Sequence, residues 1–295
     1  MRRVAPIVAA LALVGSSLAP RAQRPVRIAD ELDILPTPRE IVLTGDRLPL
    51  AGWSISAAEG VTLAQTGADE VNERIAALGA DALQVRSELG AGNTIIVAPC
   101  THALARDLAS ELHVSPDDPG EQGYVIAPVP RDGRMIIAAI GSDGLGTLYA
   151  CMTLRQMIQP GEAGPELAGA RVRDWPMFKR RCFGCIEILD DSPEGIEDDE
   201  ERLAAYAEEY EPHIRFLARN KINFVNSRGY WGGLEDPQLE AYGAASEFAA
   251  RYGIRVHRVH GTASPCGTLS RSPLAPSRRR DTGRWRCGSR SVSWR

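Results

Sequence analysis

The sequence predicts an α/β protein built in two parts. Three observations predict it. Residues 34–130 alternate short apolar, strand-like runs with segments that are apolar at helical spacing. A hairpin and a glycine-flanked helix follow, ending near residue 159. Beyond a Pro/Gly-rich connector at 160–170 the order becomes strand, helix, strand, helix, strand, the opening of a parallel α/β array.

The elements are justified in order. Ile34 to Arg39, I-L-P-T-P-R, is stiffened by two prolines, and 41–43 and 53–56 are short strands. Residues 68–78 place Val71, Ile75 and Leu78 on one helical face with charges opposite. A strand is expected at 94–98 and a helix at 102–112, with Leu104, Leu108 and Leu112 as its stripe. Residues 123–128 and 134–140 form two strands joined by a turn at Arg131-Asp132-Gly133. The helix at 145–159 is expected to lay Leu145, Leu148, Met152 and Leu154 on the sheet. After the connector come an apolar strand at 182–189, an acidic stretch at 190–201, a helix at 203–220, a strand at 222–226, a helix at 239–251 and a strand at 254–259.

Both ends differ from this body. Arg2 and Arg3, the apolar run from Val4 to Val14 and the small residues Gly15 to Ala19 make a secretory signal of residues 1–23, so the chain is expected to be exported, to the periplasm or outside the cell. The run is too short to span a bilayer, and no stable membrane insertion is expected. From Thr262 to Arg295 there are eight arginines against Asp281, a net charge of +7, which leaves −11 on residues 1–261. An acidic body has no general attraction for nucleic acid. The tail lacks apolar periodicity and is expected to be disordered. It reads either as an Arg/Ser-rich nucleic-acid arm or as a frameshift in a GC-rich gene. Export and the abrupt break after a strand favour the frameshift, and no nucleic-acid partner is expected.

Two local patterns invite chemistry. Cys182 and Cys185 have C-x-x-C spacing, but no second pair or His pair accompanies them, and small buried thiols in a strand are the expectation. Gly141-Ser142-Asp143-Gly144-Leu145-Gly146 invites a phosphate loop but lacks either common nucleotide spacing. A turn that lets a helix lie close to its sheet explains it better. No H-E-x-x-H occurs, so a zinc protease is unsupported.

Four stretches carry a resemblance to a known family. They are I-L-P-T-P-R-E-I at 34–41, G-Y-V-I at 123–126, I-G-S-D-G-L-G-T-L-Y-A-C-M-T-L-R-Q-M-I at 140–158 and R-D-W-P-M-F-K-R-R at 173–181. In this order the chain resembles glycoside hydrolase family 20, the β-N-acetylhexosaminidases. The resemblance implies a small, zincin-like N-terminal α/β domain at 24–172, a sheet with helices on one face, non-catalytic and without metal. A (β/α)8 TIM barrel would begin at 173–261, incomplete within this chain. It further implies no cofactor, and glycans containing N-acetylhexosamine as ligands.

Arg181 matches the family arginine that holds sugar hydroxyls, although Cys182 stands where the family has glycine; Arg181 also reads as one of a solvated Lys179-Arg180-Arg181 cluster. Glu187, near the end of the first barrel strand, faces either substrate or the neighbouring acidic loop. The family's reaction is substrate-assisted, with an aspartate orienting the acetamide and an adjacent glutamate as general acid, both after the fourth barrel strand. This chain offers about three strands before Gly261, and no Asp-Glu pair stands at that place. Asp190-Asp191 lies too early. By class the chain is an O-glycosyl hydrolase, expected to be a fragment inactive by itself; the alternative is a non-catalytic carbohydrate-binding or interaction module.

Overall fold

The computed structural model describes residues 32–186, 198–228 and 236–259. The first sheet contains β1 (Glu40–Pro49), β2 (Ser54–Ala57), β3 (Gln84–Arg86), β4 (Thr94–Pro99), β5 (Tyr124–Arg131), β6 (Arg134–Gly141), β7 (Ile158–Gly161) and β8 (Gly164–Asp174). Its order is β1-β8-β5-β6-β4-β2-β3, with β7 paired to β8. Strands β3, β2, β4 and β6 run parallel to one another, and β5 is antiparallel to both its neighbours, β6 and β8. The β5–β6 hairpin turns on Asp132 and Gly133, both at positive φ (53° and 73°), the backbone that a two-residue Asp-Gly turn requires.

Helices α1 (Thr62–Ala77) and α3 (Gly144–Met157) pack side by side on this sheet, and α2 (Arg106–Glu111) is a single short helix. The sheet is mixed and its central strands are apolar along their length. Ile95, Ile96, Val97, Ile136, Ile137 and Ile140 are all buried, as expected of strands covered by helices.

A second, three-stranded sheet follows. It is built from β9 (Cys182–Ile186), β10 (Phe224–Arg228) and β11 (Arg255–Val259), joined by α4 (Asp199–Arg219) and α5 (Asp236–Arg251). Strand β10 lies in the middle, parallel to both neighbours. Helix α4 opens on Asp198, whose side chain accepts from the Glu201 backbone N–H at 2.9 Å, and three acids fill its first turn, where the helix dipole favours them.

The structure corrects three expectations. The connector at 160–170 is the β7–β8 hairpin: Pro160, Gly161 and Gly164 surround a tight turn, after which Leu167, Ala168, Ala170 and Val172 are buried. Leu148 and Met152 do not face the first sheet. Helix α3 is buried on both sides, with Leu154 and Met157 in the sheet's core while Leu148 and Met152 join a second core with Tyr206, Tyr210, Ile214, Leu217, Phe248 and Tyr252 of the strand–helix units. Cys182 is exposed, because β9 is an edge strand among the described residues, whereas Cys100 and Cys151 are buried.

Candidate functional site

Barrel enzymes build their chemistry at the carboxyl ends of parallel strands. Here those ends are Ile186, Arg228 and Val259. Glu187 and Asp190-Asp191 lie outside the described residues. The register aligns Val225 with Val256 on the helix-covered face, so Phe224, Asn226, Arg255 and His257 alternate to the opposite face. There the rings of Phe224 and His257 stack at 5.9 Å, and the Arg180 guanidinium lies 5.1 Å from the Phe224 ring centre.

The other strand ends carry a polar seam. Arg181 precedes β9, and its guanidinium is turned to this seam: Nε donates to the Lys221 carbonyl at 2.6 Å and Nη1 to the Phe178 carbonyl at 2.7 Å. Its plane rests over Tyr149, 5.1 Å from the ring centre. Arg181 N donates to Asn223 Oδ1, whose Nδ2 donates to the Lys179 carbonyl and to Gln122 Oε1. Gln122 N in turn donates to Asp143 Oδ2, and Asp143 Oδ1 accepts from Gly146 N at 2.7 Å, capping α3. One hydrogen-bonded chain therefore runs from the α3 cap to the start of β10.

Beside it lies a buried trio. Lys221 Nζ is 2.7 Å from the Tyr124 hydroxyl and 2.9 Å from Asp174 Oδ2; Tyr124 also reaches Asp174 Oδ2 at 3.0 Å and Thr153 at 2.6 Å. Burial, then the charge of Asp174, holds the Tyr124 hydroxyl well above its ordinary pKa. Burial also pulls the Lys221 ammonium below its ordinary value, with Asp174 opposing. Lys221 takes a left-handed backbone (φ 58°) just past the end of α4, where glycine is the usual occupant, so its side chain is what the position keeps.

The trio and Arg181 line a cavity of about 300 Å3 together with Arg39, Tyr149, Trp175 and Met177. Arg181 Nη2 and the Tyr149 hydroxyl are buried and make no hydrogen bond there. Burial pushes the Tyr149 hydroxyl up to about 12. With Lys221, Asp174 and Tyr124 bonded to one another, the trio fastens strands and offers no free nucleophile. Among the described residues no group of three His, Cys, Asp or Glu side chains stands where it could hold a metal ion.

Sequence reasoning singled out Arg181, but not Asp174, Tyr124, Lys221 and Asn223, which the structure gathers beside it. A signal existed: Tyr124 and Asp174 lie inside two of the four quoted stretches, and Lys221 is one of only two lysines.

A mixed sheet carrying two helices, followed by parallel strand–helix units, defines a two-part α/β protein. Residues 31–175 match the family described as glycosyl hydrolase family 20, domain 2, and this N-terminal part is a family 20-like domain.

Solved structures share the fold. The GH20 β-N-acetylhexosaminidase from Streptomyces coelicolor aligns over 77% of this chain and 46% of its own (TM-score 0.51, 18% identity). An inactive mutant of the GH20 exo-β-N-acetylglucosaminidase from Vibrio harveyi aligns over 76% and 35% (TM-score 0.51, 16% identity). CpGH84D aligns over 76% and 36% (TM-score 0.54, 13% identity). The chain thus spans less than half the length of these structures. Comparison with curated protein sequences finds no match.

Proposed function

We propose that this chain supplies the N-terminal domain, to about residue 172, and the opening strands, 173–261, of an exported β-N-acetylhexosaminidase-type glycoside hydrolase whose ligands are N-acetylhexosamine-containing glycans. One observation carries the reading: a family 20 domain 2 ends at residue 175 and leads directly into the parallel order β9-α4-β10-α5-β11. The basic and apolar pattern of residues 1–23 supports export. No helix among the described residues is long and apolar enough to cross a membrane.

Glu187 follows Ile186 in sequence, at the strand end where barrel chemistry is built, and is assigned a substrate contact. Arg181 is assigned a sugar-hydroxyl contact on its match to the family arginine; in the structure Nε and Nη1 donate to backbone carbonyls and Nη2 is buried in the seam. Substrate-assisted hydrolysis needs an aspartate to orient the acetamide and a neighbouring acid to protonate the leaving oxygen. No Asp-Glu neighbours end a described barrel strand.

The purified chain is therefore expected to release no aryl alcohol from an aryl N-acetylglucosaminide; turnover at an ordinary enzymatic rate would overturn this. Calorimetric titration with chito-oligosaccharides tests the ligand class. Heat that Glu187→Gln abolishes supports the substrate face, and a flat titration removes the glycan as a ligand.

A further inference from the structure

The described part of the second sheet is open at both edges, β9 and β11, and the core that α4 and α5 build over it is not closed by them alone. Something else holds them. Leu148 and Met152 of α3, with Leu63 of α1 packed alongside, complete the core that α4 and α5 build. Next to this apolar contact, Glu70 of α1 is 1% exposed, a burial that a carboxylate tolerates only when paired.

Its partners come from the second part of the chain. Glu70 Oε2 accepts from Arg219 Nε at 2.8 Å, and Oε1 from Arg215 Nη1 and the Tyr252 hydroxyl, both at 3.0 Å. Glu73, one turn on, accepts from Arg219 Nη2 at 2.7 Å through both oxygens and from Arg215 Nη1 at 3.1 Å. From its own domain, among the described residues, Glu70 has Arg155, whose Nε lies 3.4 Å away and forms no hydrogen bond. The contact thus sets Glu70 and Glu73 of α1, with Arg155 beside them, against Arg215 and Arg219 of α4, with Glu211 one turn before. Such complementarity fixes register and rejects wrong dockings.

We infer that the α1–α3 face is an assembly platform on which helices α4 and α5 of the same chain fold and stay folded, with Glu70 as its positioning residue. The order of the chain suits this role: the platform is synthesised first, and domains fold as units from the N-terminus during synthesis. The role goes beyond the hydrolase reading and does not depend on it, since it concerns protection of backbone amides and not turnover.

Native-state hydrogen exchange followed by mass spectrometry, on the full chain, tests it. Glu70→Gln keeps the volume and removes the charge. Peptides covering 199–219 and 236–251 are expected to exchange roughly tenfold or more faster, while peptides covering 94–99 and 134–141 keep wild-type rates. Arg219→Met, which leaves the platform itself intact, is expected to reproduce the same selective loss. Tyr252→Phe, which removes a single bond to Glu70, gives a milder version if the first variant fails to fold. Unchanged exchange in α4 and α5 would overturn the inference. So would an equal rise in all four segments, which would make Glu70 a stabiliser of its own domain.

Discussion

Gly146→Ala sets two effects of opposite sign against each other, and the structure decides between them. Helix propensity alone predicts a gain, because alanine is favoured over glycine inside a helix by up to about 1 kcal/mol. The space at Gly146 predicts a loss. A Cβ there would fall far inside van der Waals contact with the Gly123 carbonyl oxygen and only 3.0 Å from its carbon, with the Gln122 carbonyl carbon at 3.2 Å. These are backbone atoms, and the same Gly123 oxygen accepts from Ser142 N and Oγ at 2.9 and 3.0 Å.

Relief requires the first turn of α3 to retreat by roughly 1 Å. That strains the Asp143 cap and the bond from Gln122 N to the same carboxylate, both at 2.7 Å. Overpacking costs about 1–3 kcal/mol and loss of the cap about 1 kcal/mol. The variant should therefore lose on the order of 2–3 kcal/mol net of propensity. In urea unfolding followed by far-UV circular dichroism this lowers the midpoint by about 1 M. Gly144→Ala is the control, since its Cβ would meet only the flexible tip of Leu63 at 3.1 Å. It should stay within about 0.5 kcal/mol of wild type. A midpoint for Gly146→Ala at or above wild type would refute the steric reasoning.

Lys221→Gly relieves a left-handed backbone worth about 1–2 kcal/mol, yet leaves Asp174 buried without its cation, a loss of about 3–5 kcal/mol. A net fall in unfolding stability is expected, and a stabilised variant would show that the ammonium is dispensable. Burial raises the Glu73 carboxyl, but Arg219, Arg155 and Arg215 together outweigh it and hold the group below its ordinary 4.5. A depressed acid contributes stability above its unfolded value, and that contribution disappears as pH falls through the lower folded value. Glu73→Gln should flatten the stability–pH curve below about 4.5 and leave it parallel to wild type at neutral pH; an unchanged acid limb would dismiss the ion pairs. Cys182 is exposed, whereas burial raises the thiols of Cys100 and Cys151. With a thiol reagent at pH 8, Cys182→Ser should remove one fast equivalent and Cys151→Ala none.

The fold was legible where one face of an element alternates with solvent or where a turn needs particular residues. The β5–β6 hairpin is written in Arg131-Asp132-Gly133, and its two central residues take the left-handed backbone that the sequence anticipates. The glycines of 141–146 were read as a close-packing turn, and Gly141 and Gly146 indeed leave no room for a side chain. Strand β3 was missed because only Val85 of its three residues is even partly buried, too little to make a period. The β7–β8 hairpin was missed because its prolines and glycines mask a strand whose buried positions are small, Ala168 and Ala170 among them.

Helix α3 shows why the seam was harder to read than either part. Its sequence is apolar nearly all round, and periodicity cannot say which side meets which partner. Leu148 and Met152 look no different from Leu154, yet they belong to another core. The same limit applies to charge. Glu70 sits in a helix with three other ionisable residues, Asp69, Glu73 and Arg74, and nothing local marks it as the one that is buried. What marks it lies about 145 residues away, in Arg215 and Arg219, which share one face of α4 because they are four apart. A pair of arginines at that spacing on a predominantly acidic helix is the sequence trace of a docking face. It becomes readable only once the buried carboxylate that receives them has been found.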